Sequence, residues 1–310
     1  MKLVKLVYLI LIGFFLIIVN SKAAENKILF KINNEIITSL DLVEEINYLS
    51  VLNDEFKKTE KTQAFEISKN SLIREKNKEI ELKKNFKNLA VDDVNLNRFL
   101  LNYFKNKGVN SLNDLNSYIA ANNIDYKLLR KKFTIELLWN QLIYLKFKNN
   151  VKIDKEKIKQ ELMSKKVIKE FFLSEILFEL NENETLEKKY SLIKKTIDET
   201  NFSKAALIYS ISDTANNAGK LGWIKSTAIN FKILNQINEL KKNEHTKPII
   251  IPGGFLILKV EDLKISKEEN NINMEKELNL IIRQKTNEQL NQFSNIYFNK
   301  VKKNISINDL

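Results

Sequence analysis

Imidazole and thiol chemistry is almost absent from this chain of 310 residues, which has one histidine, His245, and no cysteine. Disulfides, thiolate nucleophiles and cysteine-ligated zinc or iron–sulfur centres are therefore excluded. So is any mechanism or metal site that needs two imidazoles, including the two-histidine zinc-protease helix. The chain has six glycines, and no phosphate-cradling GxxxxGK or GxGxxG occurs. Neither a cofactor, a metal nor a nucleotide is expected. The densest run of small polar groups is Ser212-Asp213-Thr214-Ala215-Asn216-Asn217-Ala218-Gly219.

The formal net charge is +12 and the pI about 9.4. Arginine appears only at Arg74, Arg98, Arg130 and Arg283. Nucleic-acid readers favour arginine for its bidentate fork, and here the lysines are scattered among glutamates, as on solvated helix faces. Nucleic acid is not the expected partner; a weak attraction to acidic partners or anionic surfaces is.

The elements that must position any site begin with an export signal. Lys2 and Lys5 precede an apolar run from Leu6 to Val19, broken only by Gly13, and Ser21-Lys22-Ala23-Ala24 follows. Small residues at Ser21 and Ala23 suit cleavage after Ala23, so 1–23 reads as a signal peptide and the mature chain as periplasmic in a two-membrane host. The run is short for a spanning helix, which needs about 20 residues, but an uncleaved anchor stays open.

The length allows about two domains at roughly 100–200 residues each. Residues 28–37 read as a hairpin across Asn33-Asn34, and Thr38-Ser39-Leu40-Asp41 as the start of a helix. Further helices are predicted over 61–87, from Asp92 to Gly108, over 111–121 and over 125–148. The last carries Leu128, Phe133, Leu137, Leu138, Leu142 and Leu145 toward a core, and Asp154 caps a short connecting helix. From Val167 the pattern changes: an apolar strand over 171–178, a charged helix, a helix from Phe202, the polar loop, and Leu221-Gly222-Trp223-Ile224. A helix around 229–240 and two strands, 248–251 and 255–260, complete an α+β unit, the strands joined by Pro252-Gly253-Gly254. Residues 271–303 are helical with one apolar face, which must pack on something; the first helical domain is the natural host. Ile305-Ser306-Ile307 reads as a small final strand.

The stretch 171–262 resembles the parvulin family of peptidyl-prolyl isomerases. The matching pieces are Leu173-Ser174-Glu175-Ile176-Leu177, Asn201-Phe202 through Tyr209-Ser210, and Ala218-Gly219-Lys220-Leu221-Gly222-Trp223. Lys247-Pro248-Ile249 and Gly254-Phe255-Leu256-Ile257-Leu258-Lys259-Val260 follow in the family's order and spacing. The stretch from Lys31 to Leu42 is similar to SurA-type periplasmic chaperones, which often carry two parvulin units; this chain has room for one. The fold expected is α+β. A helical chaperone domain at 24–162 is completed by the helix of 268–310, and one parvulin-like domain lies at 166–265. The resemblance implies a chaperone that binds unfolded or extended polypeptides, above all outer-membrane β-barrel proteins. The alternative is an active isomerase, membrane-tethered if the signal is retained.

The resemblance also locates a site. Parvulins usually place histidines where this chain has Glu175 and Leu256, and an acid or cysteine where it has Ser212; Asp213 stands one position off. The polar tetrad is thus largely missing, and a weak or lost isomerase activity is expected. Leu221, Ile229 and Ile233 match substrate-pocket positions, with Trp223 and Phe255 near them in sequence. Each of these apolar residues is equally readable as ordinary core, Trp223 and Phe255 more so. Glu175 reads as an exposed strand residue or a paired carboxylate, and His245 as exposed in the loop before Pro248.

Overall fold

The computed structural model describes residues 26–164, 167–181, 183–267 and 274–309, so the expected signal peptide lies outside the described residues. Strands β1 (Ile28–Ile32) and β2 (Glu35–Thr38) pair antiparallel across Asn33, whose φ of 51° is one that asparagine tolerates. Thr38 then starts α1 (Ser39–Leu52) with a reciprocal cap. Its hydroxyl accepts from the Asp41 N–H, while the Asp41 carboxylate accepts from the Thr38 N–H at 2.8 Å. Five longer helices and one short one follow: α2 (Asp54–Lys57), α3 (Lys61–Asn85), α4 (Asp93–Phe104), α5 (Leu112–Ala121), α6 (Tyr126–Phe147) and α7 (Lys155–Ser164). Asp92, Ser111 and Asp125 each cap the helix that follows them.

Leu49, Leu100, Phe104, Leu115, Leu129 and Phe133 form the buried centre of this helical layer. The apolar stripe of α6 is turned relative to expectation. Leu129 rather than Leu128 is buried, and Leu145 is 51% exposed, because 129, 133, 138 and 142 are the positions facing inward. The long helix α11 (Met274–Lys302) packs where the sequence predicts, on α6 and α3. Trp139, fully buried, donates its indole N–H to Ser294 Oγ at 2.8 Å, and Phe298 and Val301 lie beside Leu82 and Leu142. The final strand β7 (Ile307–Asp309) pairs with β1, giving the order β2-β1-β7 and fastening α11 to the first hairpin.

The second sheet has the order β4-β3-β6-β5, with β3 (Val167–Phe178), β4 (Lys220–Lys225), β5 (Ile249–Ile251) and β6 (Gly254–Lys267) all antiparallel to their neighbours. Helices α8 (Leu186–Glu199) and α9 (Phe202–Tyr209) lie between β3 and β4. Helix α10 (Phe231–Asn238), shorter than expected and capped by Asn230, lies between β4 and β5. Each face of the sheet has its own layer. Phe171, Leu173, Leu256 and Leu258 pack with Leu234 and Ile237 of α10. Ile176, Phe178 and Ile257 pack on the other face with Ile193, Phe202 and Ala205. His245 differs from expectation: it is half-buried, bridged to Lys259 of β6, with its ring centroid 6.2 Å from that of Phe202.

Candidate functional site

Directly opposed residues of an antiparallel pair share a face. The β3–β6 register opposes Glu175 to Leu258 and Leu177 to Leu256, so Glu175 and Leu256 both look onto the layer of α10. Leu221, Ile229 and Ile233 border that same layer, Leu221 and Ile233 being half-buried. Five of the sequence-identified residues therefore share one apolar face of the sheet, with a carboxyl at one end. Trp223 and Phe255 do not belong to it. Strand alternation sends them to the opposite face: Phe255 stacks on Phe178 at 5.6 Å, and Trp223 meets Phe172 at 5.4 Å beneath the Lys264 ammonium.

The polar end is built by the loop after α9. Ser212 and Thr214 donate their hydroxyls to Glu175 Oε1 at 2.5 and 2.9 Å. Ser210 Oγ accepts from the Leu177 and Ser212 N–H groups, holding the loop to β3. Gly219, at φ 73°, accepts from the Glu175 N–H at 2.7 Å; a Cβ there would stand 2.2 Å from the Glu175 carbonyl oxygen. Glu175 is neither exposed nor paired with a cation. Burial pushes its carboxyl above the ordinary value of 4.5, against the lowering pull of the two hydroxyls. The cluster is turned in on itself, and Leu256 on the same face offers no polar atom, so this side of the sheet presents apolar side chains and one buried carboxyl.

Asp213 faces the other way. Its carboxylate meets Lys78 Nζ at 2.7 Å, and Lys78 also donates to Glu136 at 2.7 Å. Arg74 Nη1 donates to the Ser212 carbonyl at 2.6 Å, and its Nε lies 4.0 Å from Asp213. Lys78 is only 1% exposed. Burial works against its charge, but Asp213 and Glu136 outweigh that and hold its pKa above the usual ammonium value. Asp213 stays below the ordinary carboxylate value because Lys78 and Arg74 outweigh its own burial. Thr214, Arg74, Lys78 and Glu136 were not singled out in the sequence. Thr214 was at least inside the polar loop; Arg74 and Lys78, one turn apart on α3, carried no signal beyond their spacing.

Residues 175–262 match the family profile described as Rotamase: PPIC-type PPIASE domain. The class this sheet, groove and loop define is thus the PPIC-type, or parvulin, domain. The chain is also similar to SurA chaperones: it is 26% identical over 167 residues to Chaperone SurA of Pectobacterium atrosepticum, covering 50% of this chain and 38% of that protein. It is 22% identical over 188 residues to Chaperone SurA of Pseudomonas aeruginosa, covering 56% and 44%. The chain thus spans about two-fifths of the length of these curated relatives. A solved structure described among the SurA-like chaperones of Campylobacter jejuni covers 92% of this chain and 99% of its own at 17% identity, with a TM-score of 0.35; an overlay at that level decides nothing.

Proposed function

We propose that this chain is a periplasmic chaperone, exported by residues 1–23, that binds unfolded outer-membrane proteins and whose parvulin domain isomerises X–Pro bonds weakly or not at all. Unfolded barrel strands alternate apolar and polar residues and aggregate readily, which is the hazard such a holder meets. The SurA-like sequence supports the chaperone half. The observation that carries the isomerase half is that Glu175 is tied to Ser212 and Thr214 while Leu256, on the same face of the sheet, is apolar. Prolyl rotation has a barrier of about 18–20 kcal/mol, and a catalyst must favour the twisted amide over the planar one. A groove whose polar groups already satisfy each other has little left to orient the substrate carbonyl.

Two assays test this. The mature chain is expected to suppress aggregation of an unfolded barrel protein without nucleotide; no suppression at several-fold excess rejects the chaperone reading. Exchange NMR on a proline peptide is expected to show little or no acceleration of cis/trans interconversion. The second reading, an active isomerase, is favoured by the half-open Leu221 and Ile233 of the groove. Under it, turnover is clear and Leu221→Glu abolishes it. Among the described residues no helix is long and apolar enough to cross a membrane; fractionation distinguishes a tethered from a soluble pool.

A further inference from the structure

The hairpin of β1 and β2 and the first turn of α1 leave apolar side chains uncovered where the chain enters the fold. The bulge between Ile28 and Phe30 sets Ile28 opposite Thr38, which lies two positions from Ile36 on β2. Ile28 and Ile36 therefore share one face of the hairpin, the face turned away from buried Ile37. Leu40 and Val43, three apart on α1, point away from the side of that helix that buries Leu42, Glu45 and Leu49. Ile28 and Ile36 each keep 47% of their accessibility, Leu40 54% and Val43 51%. Asn26 fixes the entry point: its Oδ1 accepts from the Ser39 hydroxyl and the Leu40 N–H, both at 3.3 Å, and the Ser39 N–H donates to the Lys27 carbonyl at 2.8 Å. The chain thus arrives beside Leu40.

Scattered apolar residues on a surface need no explanation, but a group of them does. This group is wholly aliphatic, without the Trp, Tyr or Arg that anchor protein interfaces. Lys31 stands opposite Ile36 on the same hairpin face. Of the acids near it in sequence, Asp41 is spent in the Thr38 cap, Glu35 is held by Lys83 and Lys76, and Glu44 follows Val43. The chain after residue 23 keeps +9 of the net +12, since the first 23 residues hold three lysines and no acid. Interfacial binding to a bilayer draws on these two terms, apolar area and attraction to anionic lipid. Position points the same way. The apolar run of residues 6–19 ends seven steps before Asn26, a reach of at most about 25 Å. Whenever that run is in a bilayer, as during export, this face is held near the bilayer surface.

The geometry points to a lipid surface as the partner of this face. The mature chain rests on anionic bilayers through Ile28, Ile36, Leu40 and Val43, with the Lys31 ammonium among the head groups. The contact goes beyond the chaperone reading and stands whether or not residues 1–23 are removed. It gives a cleaved chain a membrane-bound fraction with no anchor of its own.

The test is flotation of the mature chain with vesicles of equal parts phosphatidylglycerol and phosphatidylcholine, and with phosphatidylcholine alone. The chain is expected to float with the first and far less with the second. Leu40→Glu combined with Val43→Glu puts acids at two exposed positions and is expected to lower the partition coefficient at least about tenfold. Val94→Glu, at an exposed apolar position on α4, leaves it unchanged. A Leu40→Trp chain is expected to show added quenching by brominated lipid. If the native chain floats with neither vesicle, or the double variant floats as the native chain does, the lipid face is overturned. It is also overturned if the native chain is a dimer that the double variant dissociates, because a second copy then covers the face. Should the double variant fail to fold, Ile36→Ser and the Leu40→Trp quenching decide. Suppression of barrel-protein aggregation, measured in parallel, reports on the chaperone reading separately.

Discussion

Replacing Lys78 with methionine isolates the contact that joins the parvulin loop to the helical layer. Methionine keeps the stem and removes the charge. Two carboxylates, Asp213 and Glu136, then lose an ammonium that stands 2.7 Å from each. Removing one partner of a buried ion pair costs about 3–5 kcal/mol because the other charge is stranded. That figure must be reduced here. The Asp213 and Glu136 side chains keep 39% and 38% of their accessibility, and Arg74 remains 4.0 Å from Asp213. We expect a loss of about 2 kcal/mol at pH 7, roughly thirtyfold in the folding constant.

The pH dependence follows from the two acids. Asp213 has a depressed pKa in the folded chain, so its contribution is present above its ordinary value of 3.8 and is lost as pH falls through the folded value. Glu136 is raised above 4.5, burial outweighing Lys78. In the Lys78→Met chain Glu136 takes up its proton on mild acidification, which relieves the repulsion with Asp213. The cost measured by urea unfolding is therefore expected to be smaller near pH 4.5 than at pH 7. Asp213→Asn and the double variant complete a cycle whose coupling is expected to be at least about 1 kcal/mol. Amide exchange over 210–216 is expected to speed up in both single variants. A coupling near zero, or a cost that does not change with pH, would refute the claim that this pair holds the loop.

Three further perturbations address the site and the closing helix. Gly219→Ala is expected to cost at least about 2 kcal/mol in chemical denaturation and Gly222→Ala about 1. Both have positive φ, but only at Gly219 does the new methyl run into backbone; equal costs would remove the close approach as the cause. Glu175→Gln keeps an acceptor for Ser212 without the carboxylate's desolvation. Because the folded Glu175 pKa is raised, the native chain loses stability as pH climbs above 4.5, so the variant's relative stability is expected to increase from pH 4 to pH 7 in paired melts. A flat difference would contradict the buried placement. Ser294→Ala strands the Trp139 indole N–H inside the core and is expected to cost about 1–2 kcal/mol with a shift in tryptophan emission; no change in either would argue that α11 does not seal this layer.

What was legible in the sequence was local or periodic. The Asn33 turn, the Thr38–Asp41 cap and the Asp92, Ser111 and Asp125 helix starts are each decided within a few residues. Leu221, Ile229 and Ile233, picked out by the family's spacing, fall together on the α10 side of the sheet. Trp223 and Phe255 were not, because nearness along a strand says nothing of face: one step along β6 separates Leu256, over the groove, from Phe255 behind it. Lys78 and Lys132 read as surface charges in a lysine-rich chain, yet both are buried against acids far away in sequence. Lys78 finds Asp213 across 135 residues, and no local pattern encodes such a partner.

The loop of residues 210–216 has two occupied sides. Its Ser212 hydroxyl faces the groove and is held by Glu175, while the carbonyl of the same residue faces α3 and is held by Arg74. One position on, Asp213 is drawn outward to Lys78 instead of inward to the groove. Asp213, the loop's own acid, is thus committed to joining the two layers, and the loop meets Glu175 with two hydroxyls and no second carboxylate. A loop pinned on both faces cannot move to open one without stretching the other. Freeing Ser212 from Glu175 by Glu175→Ala should therefore loosen amide exchange at Arg74-facing residues as well as at the groove. Loosening confined to the groove side would mean the two faces act independently.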